Sequence, residues 1–355
     1  MKFIHTADLH LGARTATKLS PQKAETRRGE LLSTFADIAA MADDIQAAVL
    51  IAGDIFDSDT PTPRTVQGFL DTVRRFPGVR FLCLPGNHDG EGLPCDVIPE
   101  NLTVFGREWG SVTFGDTTVY GIAPSGDVPY DALCPDPNQK NVVLLHGTVR
   151  EGGTPEPGAV ILDRLAGKGI DYLALGHYHS HRVGGLDGRG IWAYAGTPEG
   201  RGMDEAGECG VLILDTGTLP VSPAFFKTAR RTIHRLEVDI SECGTAFSAI
   251  CGRIDEAVLG IPREDLVRIE LLGALLPDAA RPEYTRLTEH YSGRFYYFEI
   301  KDRTRIAISA EDYRDSLTLK GEFVRRVLAS PLSEEEKSAI LRAGFAALRT
   351  EEDEI

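Results

Sequence analysis

Five short segments of this chain place carboxylates, imidazoles and one amide directly after apolar runs. They are DLH (8–10), GDIFD (53–57), GNHD (86–89), LHG (145–147) and GHYH (176–179). Because α/β proteins build their sites at the carboxyl ends of neighbouring strands, we expect these segments to meet. Seven of their side chains are good ligands for two divalent metals: Asp8, His10, Asp54, Asn87, His146, His177 and His179. An eighth side chain, His88, has no evident duty except catalysis.

The residue types suit cations that bind phosphate oxygens. Asp8 and His10 lie just beyond the first predicted strand, where the chain breaks into a loop and both side chains can turn toward one ion. Asp54 could bridge two ions with its two oxygens, and Gly53 beside it lets the backbone approach closely. Asn87 adds a neutral oxygen, which keeps the site from becoming too negative for an anionic substrate. One such motif arises often by chance, whereas five in this order indicate a site.

The elements that must position these residues read as an α/β fold. Short runs rich in Val, Ile and Leu predict buried strands at 2–6, 48–52, 80–84, 117–122, 141–145, 172–175, 191–195 and 210–214. Apolar residues at helical spacing predict helices over 24–45 and 63–75. The alternation predicts a sandwich of sheets enclosed by helices.

The chain divides into three parts that differ in their motifs and in their predicted secondary structure. Residues 1–228 carry all five segments, and residues 229–305 read as a small α+β domain without motifs of its own. Residues 306–355 read as two helices separated at Ser330-Pro331. An apolar stripe marks the second of them, at Ile340, Leu341, Phe345 and Leu348. We expect this stripe to pack on its own domain, with docking to a partner as the alternative.

Composition bounds the class of protein. Of the 355 residues, 42% are hydrophobic and 26% charged, and no run is long enough to span a bilayer or form a signal peptide. The six cysteines show no CxxC spacing, which favours a reducing cytoplasm. A net charge of −15 disfavours a protein coated in basic surface for nucleic acid. Residues 14–28 are locally basic, which suits either local binding of nucleic acid or a solvated helix face. The cations are Arg14, Lys18, Lys23, Arg27 and Arg28.

The ordered set of five segments resembles the calcineurin-like metallophosphoesterase superfamily. Longer matches resemble its SbcD-type DNA-repair nucleases: IHTADLHLG, VLIAGDIFD, LPGNHD, LLHG, LALGHYH and AYAGTPEG. The resemblance implies a sandwich of mixed β-sheets flanked by helices, a small α+β cap domain and a helical C-terminal tail. In those terms 1–228 is the catalytic domain, 229–305 the cap and 306–355 a segment that docks a partner.

The resemblance also implies a role for each residue of the site. One metal would be held by Asp8, His10, Asp54 and His179, and the other by Asp54, Asn87, His146 and His177. The family usually works with manganese, although the ligand set also admits iron, magnesium or zinc. A hydroxide bridging the two metals would attack phosphorus in line. His88 would stabilise the transition state or protonate the leaving oxygen, and Asp89 would orient His88.

Several nearby residues carry weaker expectations. We expect Asp57 to hydrogen-bond a ligand rather than to bind metal, and His181 to lie in a loop beside the site. His5 is predicted to be a satisfied core histidine. Arg201 suits either a backbone phosphate or a surface salt bridge, and no other substrate-binding residue is predicted.

The function that the resemblance implies is a two-metal phosphodiesterase, an exonuclease or endonuclease acting on DNA in repair. The partners would be DNA and an SMC-like ATPase of the SbcC type, in the cytoplasm and without a membrane. Homodimerisation stays open, because only one helix fits between Asp59 and Val79, where dimer-forming elements often lie in that family. Two rivals remain: a metallophosphoesterase for a small nucleotide or cyclic nucleotide, and a non-catalytic structural subunit of an ATPase complex.

Overall fold

A computed structural model describes residues 1–13, 19–90, 93–95, 97–123, 128–152, 158–275, 281–307, 313 and 316–349. The chain forms two compact units, Met1–Thr232 and Ile233–Ile355. The predicted division into 1–228, 229–305 and 306–355 stays a prediction. Among the helices of the described ranges, none is long and apolar enough to cross a membrane.

Fourteen strands and two helices of the first unit are described. The strands are β1 (Lys2–Thr6), β2 (Ala47–Ala52), β3 (Phe81–Leu84), β4 (Leu102–Val104), β5 (Gly110–Phe114), β6 (Thr117–Gly121), β7 (Lys140–His146), β8 (Thr148–Arg150), β9 (Ala159–Ile161), β10 (Tyr172–Gly176), β11 (Arg182–Gly185), β12 (Ile191–Tyr194), β13 (Gly210–Asp215) and β14 (Ala224–Lys227). The helices are α1 (Pro21–Asp44) and α2 (Pro63–Arg75).

Twelve of these strands form two six-stranded mixed sheets. The first sheet has the order β14-β13-β1-β2-β3-β4 and the second β11-β12-β10-β7-β6-β5, while β8 pairs with β9 alone. Strands β1 to β4 run parallel in one sheet, as do β6, β7, β10 and β12 in the other. The antiparallel neighbours β13, β14, β5 and β11 lie toward the sheet edges.

Apolar packing joins the sheets into the predicted α/β sandwich, which is confirmed. Phe3, Leu50 and Val142 belong to a buried cluster drawn from strands of both sheets. Helices α1 and α2 contribute to a second cluster with the first sheet, in which the rings of Phe35 and Phe69 stack with centroids 5.1 Å apart. Burial of such side chains is the main force that favours the folded state.

Helix α2 spans the predicted residues, and α1 begins earlier than predicted. Ser20 caps α1 by accepting a hydrogen bond from the backbone N–H of Lys23, and Pro21 suits the first turn because it needs no N–H donor there. The structure has one helix, α2, between residues 59 and 79, as predicted. Homodimerisation was left open because only one helix fits there, and it stays open.

The strands that precede the five segments were all predicted within two residues of their ends. Six strands were not predicted: β4, β5, β8, β9, β11 and β14. They are short or partly exposed, so they lack the continuous apolar run of a buried strand. None of the six precedes a segment of the site, and the site therefore does not depend on them.

The second unit contains a parallel three-stranded sheet. Its elements are β15 (Ile233–Asp239), α3 (Phe247–Ala257), β16 (Leu266–Leu272), β17 (Ala274–Leu275), α4 (Tyr284–Tyr291), β18 (Tyr297–Asp302), β19 (Arg305–Ile306), α5 (Leu319–Leu328) and α6 (Glu334–Arg349). The sheet order is β15-β16-β18, and β17 pairs with β19. The predicted α+β texture and the pair of terminal helices are confirmed.

Helices α5 and α6 pack on each other. Val324 and Val327 of α5 and Leu341 and Phe345 of α6 are buried together, so part of the predicted stripe packs within its own unit. Ile340 stays 38% exposed, and the side chain of Leu348 lies outside the described residues. The second helix starts at a capping box, in which Ser333 and Glu336 each accept from the other's backbone N–H.

His5 is a core histidine, as predicted. Its ring nitrogens lie 2.8 Å from the Tyr172 hydroxyl and 3.1 Å from the Leu175 carbonyl oxygen, and the residue is fully buried. Burial disfavours the imidazolium and lowers the pKa of His5 to about 3, although the bond to Leu175 opposes the shift. Folding therefore requires a neutral His5.

A pH series of unfolding should reveal His5. Its depressed pKa contributes stability that is present above its usual value of 6.5 and is lost as the pH falls toward about 3. Between pH 7 and pH 5, the free energy of unfolding of metal-free wild type should fall by about 2 kcal/mol more than that of metal-free His5→Gln. Urea unfolding followed by tryptophan fluorescence measures this, since Trp109 and Trp192 both lie in the first unit.

The exposed His290 provides the control, and His290→Gln should follow wild type. An equal pH dependence in wild type and His5→Gln would contradict the buried neutral state of His5.

Candidate metal centre

Four predicted ligands lie in turns with unusual backbone conformation. Asp8, His10, Asp54 and His177 have positive φ angles of 51°, 43°, 50° and 110°. Only one other non-glycine residue of the described ranges, Gln46, shares this feature. Because left-handed conformations cost energy for residues with a Cβ, such clusters are typical of functional sites.

Backbone hydrogen bonds hold the first two of these turns together. Asp8 N–H donates to the Gly53 carbonyl at 3.1 Å, and His10 N–H donates to the Asp54 carbonyl at 3.0 Å. Leu11 N–H continues the series to Ile55. The loops after β1 and β2 are thus joined beyond the sheet, which offsets the strain of their turns.

Two glycines allow the strand ends to approach. Gly53 has φ +89°, and a Cβ there would lie 2.3 Å from His146 Nδ1. A Cβ on Gly86 would lie 2.1 Å from Asp54 Oδ1. Only a residue without a side chain fits these positions, because real Cβ contacts are never so short.

Asp54 lies at the centre of the assembled donors. Its Oδ2 is 3.7 Å from His10 Nε2 and 3.5 Å from His146 Nε2. Its Oδ1 accepts a hydrogen bond of 2.9 Å from the backbone N–H of His88. The side chain is 2% exposed, so both oxygens face protein groups.

Asp8, His10 and His179 lie on one side of Asp54, with donor atoms all within 4.8 Å of one another. His10 Nε2 and His179 Nε2 face each other at 3.3 Å. Burial raises the pKa of Asp8 to about 7, against the opposing charge of His179 and the N–H of His177. A carboxylate so costly to ionise gains from a cation beside it.

Asn87, His146 and His177 lie on the other side. Asn87 Oδ1 is 2.9 Å from His146 Nε2 and 3.1 Å from His177 Nδ1. His146 Nδ1 contacts the Ala52 carbonyl at 2.8 Å, which assigns the proton to Nδ1 and leaves Nε2 as a ligand atom. Burial lowers the pKa of His146 to about 4, so the ring is neutral near pH 7.

These donors fit divalent metal ions. A second group within 4.8 Å joins Asp8, Asp54 and His146, so the two sides meet at the buried carboxylates. Two imidazole nitrogens that face each other repel unless a proton or a cation lies between them. Oxygen and imidazole donors without thiolates suit ions such as manganese, magnesium, iron or zinc.

His88 lies at the solvent side of this group. Its exposed ring is 4.9 Å from that of His10 and edge-on to it. Its donor nitrogen also lies within 4.8 Å of His10 and Asp57 donors. The side chain is therefore beside the metal donors and open to a substrate.

Asp89 has a different contact from the one predicted. Its carboxylate accepts hydrogen bonds from the backbone N–H groups of Ile55, Phe56 and Gly86 at 2.7 to 2.9 Å. These bonds occupy both oxygens, and no bond to the His88 ring occurs among the described residues. Asp89 thus fixes the loops of GDIFD and GNHD rather than orienting His88.

Asp57 Oδ1 lies 3.2 Å from His10 Nδ1, but this nitrogen has no aligned hydrogen-bond partner among the described residues, so the expected hydrogen bond from Asp57 to a ligand stays a prediction. The structure shows Arg201 in salt bridges with Asp57 and Glu205. His181 lies in the loop after His179, with its ring 4.8 Å from that of Phe225.

Glu205 was missed by sequence reasoning. Its Oε1 lies 2.8 Å from His179 Nδ1, and its side chain is 7% exposed. Burial raises the pKa of Glu205, but the bond from His179 and the charge of Arg201 outweigh it and lower the pKa to about 2. No motif surrounds Glu205 in the sequence, so only the fold reveals it.

The basic stretch at 14–28 is only partly a solvated helix face. Arg27 is 1% exposed and donates to the equally buried Glu199 at 2.8 Å. Arg28 pairs with Glu25 at the surface. Arg14 and Lys18 lie outside the described residues.

Comparison with known families gives one match. Residues 1–181, just over half of the 355-residue chain, match the family described as calcineurin-like phosphoesterase. All seven predicted ligands lie within the matched range. Arg201 and Glu205 lie beyond it.

Curated relatives align over most of the chain, and the first three all have the name DNA double-strand break repair protein Mre11. That of Sulfurisphaera tokodaii is 26% identical over 67% of this chain and 63% of its own length. That of Sulfolobus acidocaldarius is 24% identical over 78% and 76%. That of Aeropyrum pernix is 28% identical over 70% and 66%. The chain thus spans less than two thirds of the first and third relatives.

Proposed function

Because this chain belongs to the calcineurin-like phosphoesterase family, we propose that it is a metal-dependent phosphodiesterase that cleaves DNA. The observation that carries the proposal is the convergence of the six other predicted ligands around Asp54. His10 Nε2 and His146 Nε2 approach the same Asp54 oxygen from two sides, at 3.7 Å and 3.5 Å. One carboxylate shared between two donor sets is the arrangement that a two-ion site requires.

Each ion would have its own set of ligands. Asp54 would contribute to both sets; Asp8, His10 and His179 would complete one, and Asn87, His146 and His177 the other. When bound, divalent ions there would polarise phosphate oxygens and lower the pKa of a water molecule. Manganese is our choice among the ions that oxygen and imidazole donors admit.

His88 is the residue we propose to act directly on the substrate. Its ring is exposed and lies beside His10, while its backbone N–H is held by Asp54. An imidazole at that place could donate a proton to the leaving oxygen or a hydrogen bond to the phosphate. Asp89 supports it indirectly, by holding the backbone of the GNHD loop.

DNA is the proposed substrate because relatives named for double-strand break repair align with 67% to 78% of the chain. The net charge of −15 is the argument against a protein that grips DNA alone. A small nucleotide is the rival substrate, which the assay below distinguishes. The six cysteines are free, which is consistent with our proposal of a cytoplasmic location.

A cleavage assay with matched substrates tests this function. With Mn²⁺ the protein should cleave linear duplex or single-stranded DNA, and chelation by EDTA should abolish cleavage. His88→Ala should lower the rate roughly 10²- to 10⁴-fold without changing the number of bound ions, because it removes a proton donor and no ligand.

His290→Ala, at an exposed histidine of the second unit, should leave the rate unchanged. Hydrolysis of bis-p-nitrophenyl phosphate without any cleavage of DNA would refute the nuclease and favour the small substrate. Full activity of His88→Ala would refute the role of His88, and a metal-loaded protein inert on both substrates would favour a structural subunit.

We further propose that α5 and its preceding turn dock an SMC-like ATPase. Leu317 is fully exposed and Leu319 is 70% exposed, while Val324 and Val327 of α5 are buried in a cluster with residues of α6. Two neighbouring exposed leucines favour binding to an apolar partner surface. Such a partner would also add DNA contacts to those of this acidic chain, whose net charge is −15.

Co-purification with the ATPase tests the docking. The double variant Leu317→Asp/Leu319→Asp should lose binding at unchanged melting temperature, because two charges cannot be buried unpaired in an apolar interface. Leu259→Asp alters a leucine of the same unit that is 84% exposed and should bind normally. Undiminished binding by the double variant would exclude this surface.

A further inference from the structure

Arg201 joins two carboxylates beside the candidate metal centre. Its Nη1 donates to Asp57 Oδ1 at 2.9 Å, and its Nε and Nη2 donate to Glu205 Oε1 at 2.9 and 2.6 Å. The guanidinium side chain is 17% exposed and Glu205 is 7% exposed. Arginine suits this place because its planar donors can bond two acceptors in a fixed geometry.

Each of these carboxylates faces the Nδ1 atom of a predicted ligand. Glu205 Oε1 lies 2.8 Å from His179 Nδ1, and Asp57 Oδ1 lies 3.2 Å from His10 Nδ1. The same two rings present their Nε2 atoms to each other at 3.3 Å. Arg201, the two carboxylates and the two imidazoles therefore form a closed ring of contacts.

The loop that carries Arg201 and Glu205 is itself anchored. Thr197 Oγ1 donates to the Asp8 carbonyl at 3.1 Å, and the buried pair of Arg27 and Glu199 ties the loop to α1. Separation of this pair would leave a buried charge without its partner, which keeps the loop next to α1. Rigid support of this kind is what keeps ligand atoms in place.

In the other donor set, the far nitrogen of His146 has an uncharged partner. His146 Nδ1 contacts the carbonyl of Ala52, whereas His177 Nδ1 faces Asn87 Oδ1, which is itself a predicted ligand. A carboxylate on the far nitrogen of an imidazole makes that imidazole a stronger metal ligand than a carbonyl does. The two sides of Asp54 therefore differ in the strength of their histidine ligands.

We infer that Arg201, Asp57 and Glu205 are positioning residues that orient His10 and His179 and make their metal the more tightly bound of the two. The inference rests on the proposed two-ion site but not on which substrate is cleaved. Glu205 is the stronger support, because His10 Nδ1 lies near Asp57 without an aligned hydrogen bond. Arg201 keeps both carboxylates charged and fixed in direction.

Calorimetric titration of the metal-free full chain with Mn²⁺ tests the inference. Wild type should bind two ions with different affinities, and Glu205→Gln should weaken the tighter step by 10- to 100-fold while leaving the weaker step unchanged. Asp57→Asn should have a smaller effect in the same direction. Arg201→Lys, which keeps the charge but cannot bridge two carboxylates, should resemble Glu205→Gln.

Glu208→Gln makes the same exchange three residues away at an exposed position and should bind as wild type. Nitrogen NMR of histidine-labelled, metal-free protein reports the tautomer of His179, and the His179 signal should differ from wild type in Glu205→Gln but not in Glu208→Gln. A merely structural role would lower the melting temperature and weaken both steps together, which overturns the inference. So does unchanged binding by Glu205→Gln.

Failure of the proposed function has a separate signature. If Glu205→Gln weakens only the tighter binding step but wild type cleaves no DNA, the positioning role is supported and the nuclease function is refuted. If Glu205→Gln leaves the tighter binding step unchanged but wild type cleaves DNA, the nuclease function is supported and the positioning role is refuted.

Discussion

The joining of the loops after β1 and β2 is the constraint on which the site depends. Hydrogen bonds from Asp8 and His10 to the carbonyls of Gly53 and Asp54 continue strand pairing beyond the sheet, in a conformation that ordinary residues avoid. Those bonds turn the side chains of both loops toward one point. Without them nothing would hold the loop of Asp8 and His10 against the loop of Asp54, and the donors would not be kept together.

Charge explains why this point favours cations. Asp8 and Asp54 are both almost completely buried, and burial is the largest cause that raises the pKa of Asp8 to about 7, against the opposing charge of His179. Burial also lowers the pKa of the neighbouring His146 to about 4, so that ring is neutral near pH 7. Divalent ions would reduce the cost of burying these two carboxylates. On one side of the site, the charges of Asp57 and Glu205 are paired with Arg201 in salt bridges.

Sequence reasoning predicted the site better than its surroundings. The predicted ligands lie at the ends of buried strands, and the sequence predicts such strands from their apolar runs. Because strand ends meet in α/β folds, the convergence of the ligands could be predicted. Glu205 and the true contacts of Asp89 could not be predicted, because they depend on how loops distant in sequence meet. Asp89 looked like a partner for the adjacent His88, yet three backbone N–H groups bind both of its oxygens.

The central claim is that two ions share Asp54, and anomalous scattering from crystals grown with Mn²⁺ tests it most directly. The account predicts two manganese peaks about 3.5–4 Å apart, one between Asp54 and His10 and the other between Asp54 and His146. A single peak, or two peaks that do not both contact the Asp54 carboxylate, would contradict it.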